Sequence, residues 1–123
     1  LLREALEASR EGLGNRHPDT LDSISNLGVL LAQKGDLAAG VLLLREALEL
    51  RRETLGNRHP DTLGSVNNLG RLLVMKGELA AAEPLYREAL EGQRQTLGTR
   101  HPDTLRTISN LDWLLTAKRL LRA

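Results

Sequence analysis

The 123-residue chain has no cysteine and no phenylalanine, and Tyr86 and Trp113 are its only aromatic residues. Without cysteine it can form neither a disulfide nor a thiolate metal site, and the redox compartment stays open. An excess of one charge is also missing. The chain carries 17 Lys and Arg against 16 Asp and Glu, a formal net charge of +1, and neither end is a basic or acidic tail. That balance argues against a nucleic-acid binder, which carries a large excess of Lys and Arg. No apolar run approaches the roughly 18 residues needed to span a bilayer, so no membrane role is expected. The opening Leu1-Leu2-Arg3-Glu4 is neither a signal peptide nor a starting-methionine context, and the chain reads as a fragment or excised segment. Its length suits one domain. The β-branched residues are sparse, while leucine, at 29 residues, dominates. Together with Ala, Glu, Arg and Lys, leucine fills the chain with strong helix formers, so the expected class is all-α.

The segment Leu13-Gly14-Asn15-Arg16-His17-Pro18-Asp19-Thr20-Leu21 returns unchanged at Leu55 to Leu63. It returns again at Leu97 to Leu105 with Thr99 in place of Asn. The period is 42, and residues 13–54 and 55–96 share 28 identities in 42 positions. Self-similarity of this kind marks a repeat architecture. Each period holds two helical patterns, A and B. Helix A begins at Pro18, Pro60 and Pro102, where proline's missing N–H costs nothing. Asp19, Asp61 and Asp103 place negative charge in its positive first turn. Leu21, Ile24, Leu27, Leu30 and Leu31 fall at helical spacing, and the helix should end near Lys34-Gly35 and Lys76-Gly77.

Helix B should begin at Asp36 or Glu78 and end at Leu55-Gly56 or Leu97-Gly98. Pro84, inside the second B helix where the first has Leu42, should cause at most a local kink. Helices A and B should be roughly 16 and 18 residues long. Residues 1–12 match the end of a B helix, residues 13–54 and 55–96 are repeats, and 97–123 is a truncated last repeat. Six helices in the order B-A-B-A-B-A follow. Ala39, Ala47, Ala81 and Ala89 are expected at close helix contacts, and Leu27, Leu69 and Leu111 in the core.

Asn68-Leu69-Gly70, Leu73, Gly77, Ala82, Tyr86 and Ala89-Leu90 resemble the signature of a tetratricopeptide repeat, a motif usually 34 residues long. The longer 42-residue form, with its histidine–proline–aspartate connection, is similar to the repeats of kinesin light chain and related proteins. The resemblance covers essentially the whole chain. It implies an antiparallel helix-pair solenoid with a right-handed superhelical turn, whose A helices line a concave surface that binds peptide segments of other proteins. The third repeat departs from the pattern twice. Asp112 stands where the others have Gly28 and Gly70, and Arg119 where they have Gly35 and Gly77. Both changes fall where an absent B helix would have packed or begun; drift is the alternative.

His17, His59 and His101 occur once per repeat, each before a helix-starting proline. A metal or proton-transfer role is conceivable for histidine, but an N-terminal cap or a repeat-to-repeat contact accounts for the spacing. Asn26, Asn68 and Asn110 share one place in the three A helices, which by the tetratricopeptide register faces the groove. An amide offers both donor and acceptor. These asparagines either hold the backbone of an extended peptide or stiffen the helix stack. The other groove positions vary: Asp22, Gly64 and Arg106; Ser25, Asn67 and Ser109; Val29, Arg71 and Trp113. Variable lining on a constant frame fits a recognition surface and also a solvated face. Arg and Trp are frequent binding anchors. Kinesin light chain grooves are basic toward acidic peptides, a line that Asp22 interrupts here.

Arg3-Glu4, Arg45-Glu46 and Arg87-Glu88 read as a solvated face with weak ion pairs. No nucleophile–base–acid set and no phosphate-cradling glycine loop is present, so neither an enzyme nor a cofactor or metal is expected. The expected function is a non-catalytic, cytoplasmic protein-interaction module. Its peptide-binding residues would be Asn26, Asn67, Asn68, Asn110, Arg71, Arg106 and Trp113. The alternative is a self-assembling repeat segment without a peptide ligand, forming a homodimer or a head-to-tail oligomer through its end helices.

Overall fold

The computed structural model describes Glu7, Gly14 and residues 17–122. Among them the chain forms five helices and no strand: α1 (Pro18–Gln33), α2 (Leu37–Leu55), α3 (Pro60–Met75), α4 (Leu79–Thr96) and α5 (Pro102–Arg122). Of the first of the six expected helices only Glu7, which is helical, is described, and its Arg3-Glu4 pair lies outside the described residues. The chain divides between Asn57 and Arg58 into two units; α1 and α2 form one, and α3, α4 and α5 the other.

The A helices α1, α3 and α5 start as the sequence predicts, because the motif caps them. The Nδ1 of His17, His59 and His101 accepts the backbone N–H of Asp19, Asp61 and Asp103 at 3.1, 3.0 and 3.1 Å. The acceptor nitrogen must be unprotonated, so each neutral ring carries its proton on Nε2. All three histidines are caps. His59→Ala is expected to cost about 1 kcal/mol, the scale of a lost N-cap, as measured by urea unfolding.

The A-to-B turn is set by glycine. Gly35 and Gly77 have φ of 99° and 88°, a left-handed conformation that a side chain disfavours. The N–H of Asp36 reaches back to the Leu31 carbonyl and that of Gly35 to Ala32; Glu78 and Gly77 repeat the pattern on Leu73 and Val74. These paired bonds satisfy carbonyls that the helix end leaves open. Asp36 then caps α2 through the Ala39 N–H. Pro84 is accommodated inside a continuous α4.

In the first unit Leu21, Ile24, Leu27 and Ala47 form the core, with Leu31, Leu43 and Leu50 packed against it. In the second, Leu63, Val66, Leu69, Leu72 and Leu73 of α3 are buried with Ala82, Tyr86 and Ala89 of α4 and Leu111 and Leu114 of α5. The buried side of α2 runs through Gly40, Val41, Leu44, Ala47, Leu48 and Arg51. That of α4 runs through Ala82, Tyr86, Ala89, Gly92 and Gln93. Ala47 and Ala89 are fully buried as expected, but Ala39 is half-buried and Ala81 exposed. The close approaches belong to Gly40 and Ala82, one residue on, because a step of one residue turns a helix by about 100°.

Helix α5 departs from α1 and α3 as its sequence suggests. Asp112 is exposed. With Arg119 in place of the turn glycine, α5 continues to Arg122, leaving Leu120 and Leu121 exposed.

Candidate functional site

In the second unit, Arg71, Asn110 and Trp113 come together as the A-helix register predicts. With Val74, Met75 and Tyr86 they line a hollow of about 280 Å³. Its rim is apolar and solvated: Trp113 is 58 % exposed and Met75 56 %. Tyr86, at 2 % exposure, belongs at once to the core and to the wall. Burial pushes its phenol above the ordinary tyrosine range, and the positive charge of Arg71 opposes that shift.

The amides of this unit have incomplete hydrogen bonding. Asn67 donates from Nδ2 to the Thr107 hydroxyl at 2.7 Å, while its Oδ1 is buried without a partner. The Nδ2 of Asn110 is also buried and unpartnered. Each orphaned group costs about 1–3 kcal/mol until something polar reaches it. Asn68 is part-buried on α3. Arg106 is mostly exposed and lies 3.9 Å from Asp103 on its own helix, away from the hollow.

The first unit treats the equivalent places differently. Asn26 is exposed. Asp22 is bound by Arg51 at 2.6 Å, and the same guanidinium reaches the Ser25 hydroxyl at 3.4 Å. The acidic interruption of the groove line is therefore neutralised within the chain.

Sequence reasoning passed over Arg51, Gln93 and Thr107, and over the hollow's Val74 and Met75. Arg51 and Gln93 are 42 residues apart, at the same place on α2 and α4. Both are polar residues at apolar-face spacing: Arg51 follows Ala47 by four, and Gln93 follows Ala89 by four. A polar residue on a buried stripe needs a partner, and that was the readable signal.

Away from the hollow, Glu83 of α4 accepts from Lys118 of α5 at 2.6 Å and from Arg87 at 3.0 Å. The Lys118 bond first, and the Arg87 bond second, hold its carboxyl below the ordinary value of 4.5. A depressed carboxylate contributes stability that is present above the unfolded value and lost as pH falls through the folded one. Acidification below about 4.5 should therefore lower the stability of the chain more than that of Glu83→Gln. Urea midpoints across a pH series check this.

Among the described residues there is no group of three His, Asp or Glu side chains that could hold a metal ion. No described helix is long and apolar enough to cross a membrane.

The tetratricopeptide repeat family model matches residues 24–95 and 64–120. No match was found among curated proteins. Among solved structures, a kinesin-light-chain-like protein of Podosopora anserina with nearly identical TPR-like repeats is similar at 25 % identity and a TM-score of 0.90. The match covers 98 % of this chain and 57 % of that one. A glutamine-to-methionine variant of the same Podosopora anserina protein matches at 25 % identity and a TM-score of 0.89, over 98 % and 57 % of the two chains. BtubC (BKLC) of P. vanneervenii shares the fold at 24 % identity and a TM-score of 0.83, over 95 % and 46 % of the two chains. The chain thus spans about half the length of these proteins. Tetratricopeptide repeats generally mediate protein–protein interaction. With its 42-residue period, capped helix pairs and glycine turns matching that family model over most of its length, the chain belongs to the tetratricopeptide repeat family.

Proposed function

We propose that the chain is a non-catalytic, cytoplasmic interaction module that binds an extended peptide segment of a partner protein on the A-helix face of α3 and α5. The observation that carries this reading is the hollow itself, where exposed Trp113, Met75 and Arg71 surround Asn110, whose buried N–H has no partner. A peptide lying there covers the exposed apolar rim. Arg71, with Arg106 further out on α5, favours acidic segments, and Asn67 and Asn68 offer amides to the backbone.

A screen of a random peptide library against the chain tests the reading. Asn68→Ala should weaken binding across many sequences, by about fivefold to tenfold, the scale of one hydrogen bond. Arg71→Ala should weaken acidic peptides selectively. Hits whose affinity ignores both substitutions reject the assignment.

One observation favours a second reading, self-association through α5. Leu120 and Leu121 are 70 % and 77 % exposed, side by side at the end of the helix, and exposed apolar patches mark interfaces. Light scattering over a dilution series decides it; a strict monomer at every concentration removes this reading.

A further inference from the structure

Glu83, Arg87, Leu90 and Arg94 fall on one stripe of α4, and Leu111, Leu115, Lys118 and Arg122 on one stripe of α5, each at steps of four, three and four residues. The stripes run antiparallel. Lys118 meets Glu83 at 2.6 Å toward one end, and Leu111 shares a hollow with Leu90 and Arg94 toward the other. That hollow holds about 360 Å³, and a second, of about 310 Å³, lies at Glu83, Leu115 and Lys118. Arg87 of the first is paired with Glu83 of the second, and Leu111 is one turn from Leu115, so the two belong to one groove. Trp113 lies about 200° round α5 from Leu111. The groove is therefore not the face that carries the hollow of Trp113 and Arg71.

The equivalent stripe of α3 shows what shape covers such leucines. Leu63, Val66 and Leu73 are fully buried there. A Cβ at Gly70 would meet Tyr86 of α4, and one at Gly92 of α4 would meet Leu63, so the cover is a helix. One period later Leu105 is 49 % exposed, and Ile108 and Leu115 are half-buried. Helix α5 keeps the apolar stripe without its cover among the described residues.

The charge of the groove departs from the period. Arg119 stands where the first two repeats have Gly35 and Gly77, and Arg122 where they have Ala38 and Ala80. Both arginines are exposed and line the second hollow. The one carboxylate of that hollow, Glu83, stands where α2 has Val41 and is already taken by Lys118 and Arg87. This end of the groove thus gains two cations over the repeat pattern while its own anion is neutralised. At the other end Arg94 lies beside Glu91, and exposed Asp112 marks the outer edge.

We propose that this groove docks an amphipathic helix of a partner protein, with its apolar stripe on Leu90, Leu111 and Leu115 and its acidic residues against Arg119 and Arg122. A helix is the shape that the repeat itself lays over the equivalent leucines. Acid is the charge that the groove lacks, and complementary charge fixes the register and choice of partner. The surface is separate from the extended-peptide face and does not rest on that reading.

Two amphipathic peptides of about 14 residues, long enough for the roughly 16 Å from Leu111 to Arg122, are the probes. Both carry leucine at helical spacing; one fills its polar face with glutamate, the other with lysine. Calorimetry on the full chain should find the glutamate peptide bound about tenfold or more tighter than the lysine peptide. Polyglutamate, which has the charge without the apolar stripe, should bind about tenfold or more weaker than the glutamate peptide. Arg119→Glu with Arg122→Glu should reverse the preference, and Arg119→Lys with Arg122→Lys should keep it. Both positions are exposed, so both variants should retain the helical spectrum. By NMR, the amides of Leu90, Leu111 and Leu115 should shift on adding the glutamate peptide, and the Trp113 indole N–H should not.

Equal affinity for the two peptides, or a preference that the charge reversal leaves in place, overturns the acidic partner. Polyglutamate binding as tightly as the glutamate peptide overturns the helix as occupant and makes the groove a general polyanion site. Shifts confined to the surroundings of Trp113 put the peptide in the other hollow and overturn the groove. A dimer by light scattering that the Arg119→Glu, Arg122→Glu variant loses puts a second copy in the groove and overturns the partner. Failure of both peptides to bind overturns the proposal outright, while the extended-peptide reading keeps its own test at Asn68 and Arg71.

Discussion

Leu69→Ala should destabilise the chain by about 2–5 kcal/mol, the range for deleting a fully buried leucine side chain. Leu69 is 1 % exposed and belongs to the buried side of α3. Removing its isobutyl group forfeits the transfer energy of those atoms and leaves a cavity that rigid neighbours fill only in part. The whole stability of a domain this size is about 5–15 kcal/mol, so the loss is a large share of it. Leu105, half-exposed on α5, is the control: Leu105→Ala should cost within about 0.5 kcal/mol, as surface changes do. Urea unfolding of the two variants side by side checks the pair. A loss at Leu69 no larger than at Leu105 would show that α3 does not pack as described.

Gly70→Asp is the second large effect, and it tests why the third repeat departs from the first two. A Cβ built at Gly70 would lie 2.8 Å from the ring of Tyr86, closer than real contacts allow. Tyr86 is itself buried, so it has little room to yield. An aspartate there adds overpacking of about 1–3 kcal/mol and a carboxylate held against a buried aromatic ring. The expected loss is about 3 kcal/mol or more, and unfolding at modest temperature is the readout. The equivalent Asp112 is exposed, so Asp112→Gly should change stability by only a few tenths of a kcal/mol, the difference in helix propensity. If the two substitutions had equal effects, drift would explain Asp112 as well as packing does.

Three features were legible in the sequence because they are local. His-Pro-Asp makes its cap within three residues, so all three helix starts could be placed from the motif alone. Gly35 and Gly77 end α1 and α3 because the turn needs a positive φ, a requirement on one residue. The same logic read backwards explains α5, where Arg119 cannot take that conformation cheaply and the helix runs on. Leu27, Leu69 and Leu111 were readable as core because helical spacing puts each on the apolar stripe of its own helix. Ala39 and Ala81 were misplaced because one residue's error in phase rotates a side chain by about 100°, and the run of small residues leading up to the true position gave no contrast.

The chain's own order of residues thus determined its class, its period, its caps and turns, and which A-helix positions vary. Tertiary structure alone decided what those positions do. Asp22 and Asn67 look alike as polar groove residues. Their difference comes from partners 29 and 40 residues away, an arginine that neutralises the one and a threonine that orients the other. Hydrogen-bond satisfaction belongs to the space between helices, where the Thr107 hydroxyl, facing Gln93 and the Asp103 carbonyl, takes the nitrogen of Asn67 and leaves its oxygen without a partner.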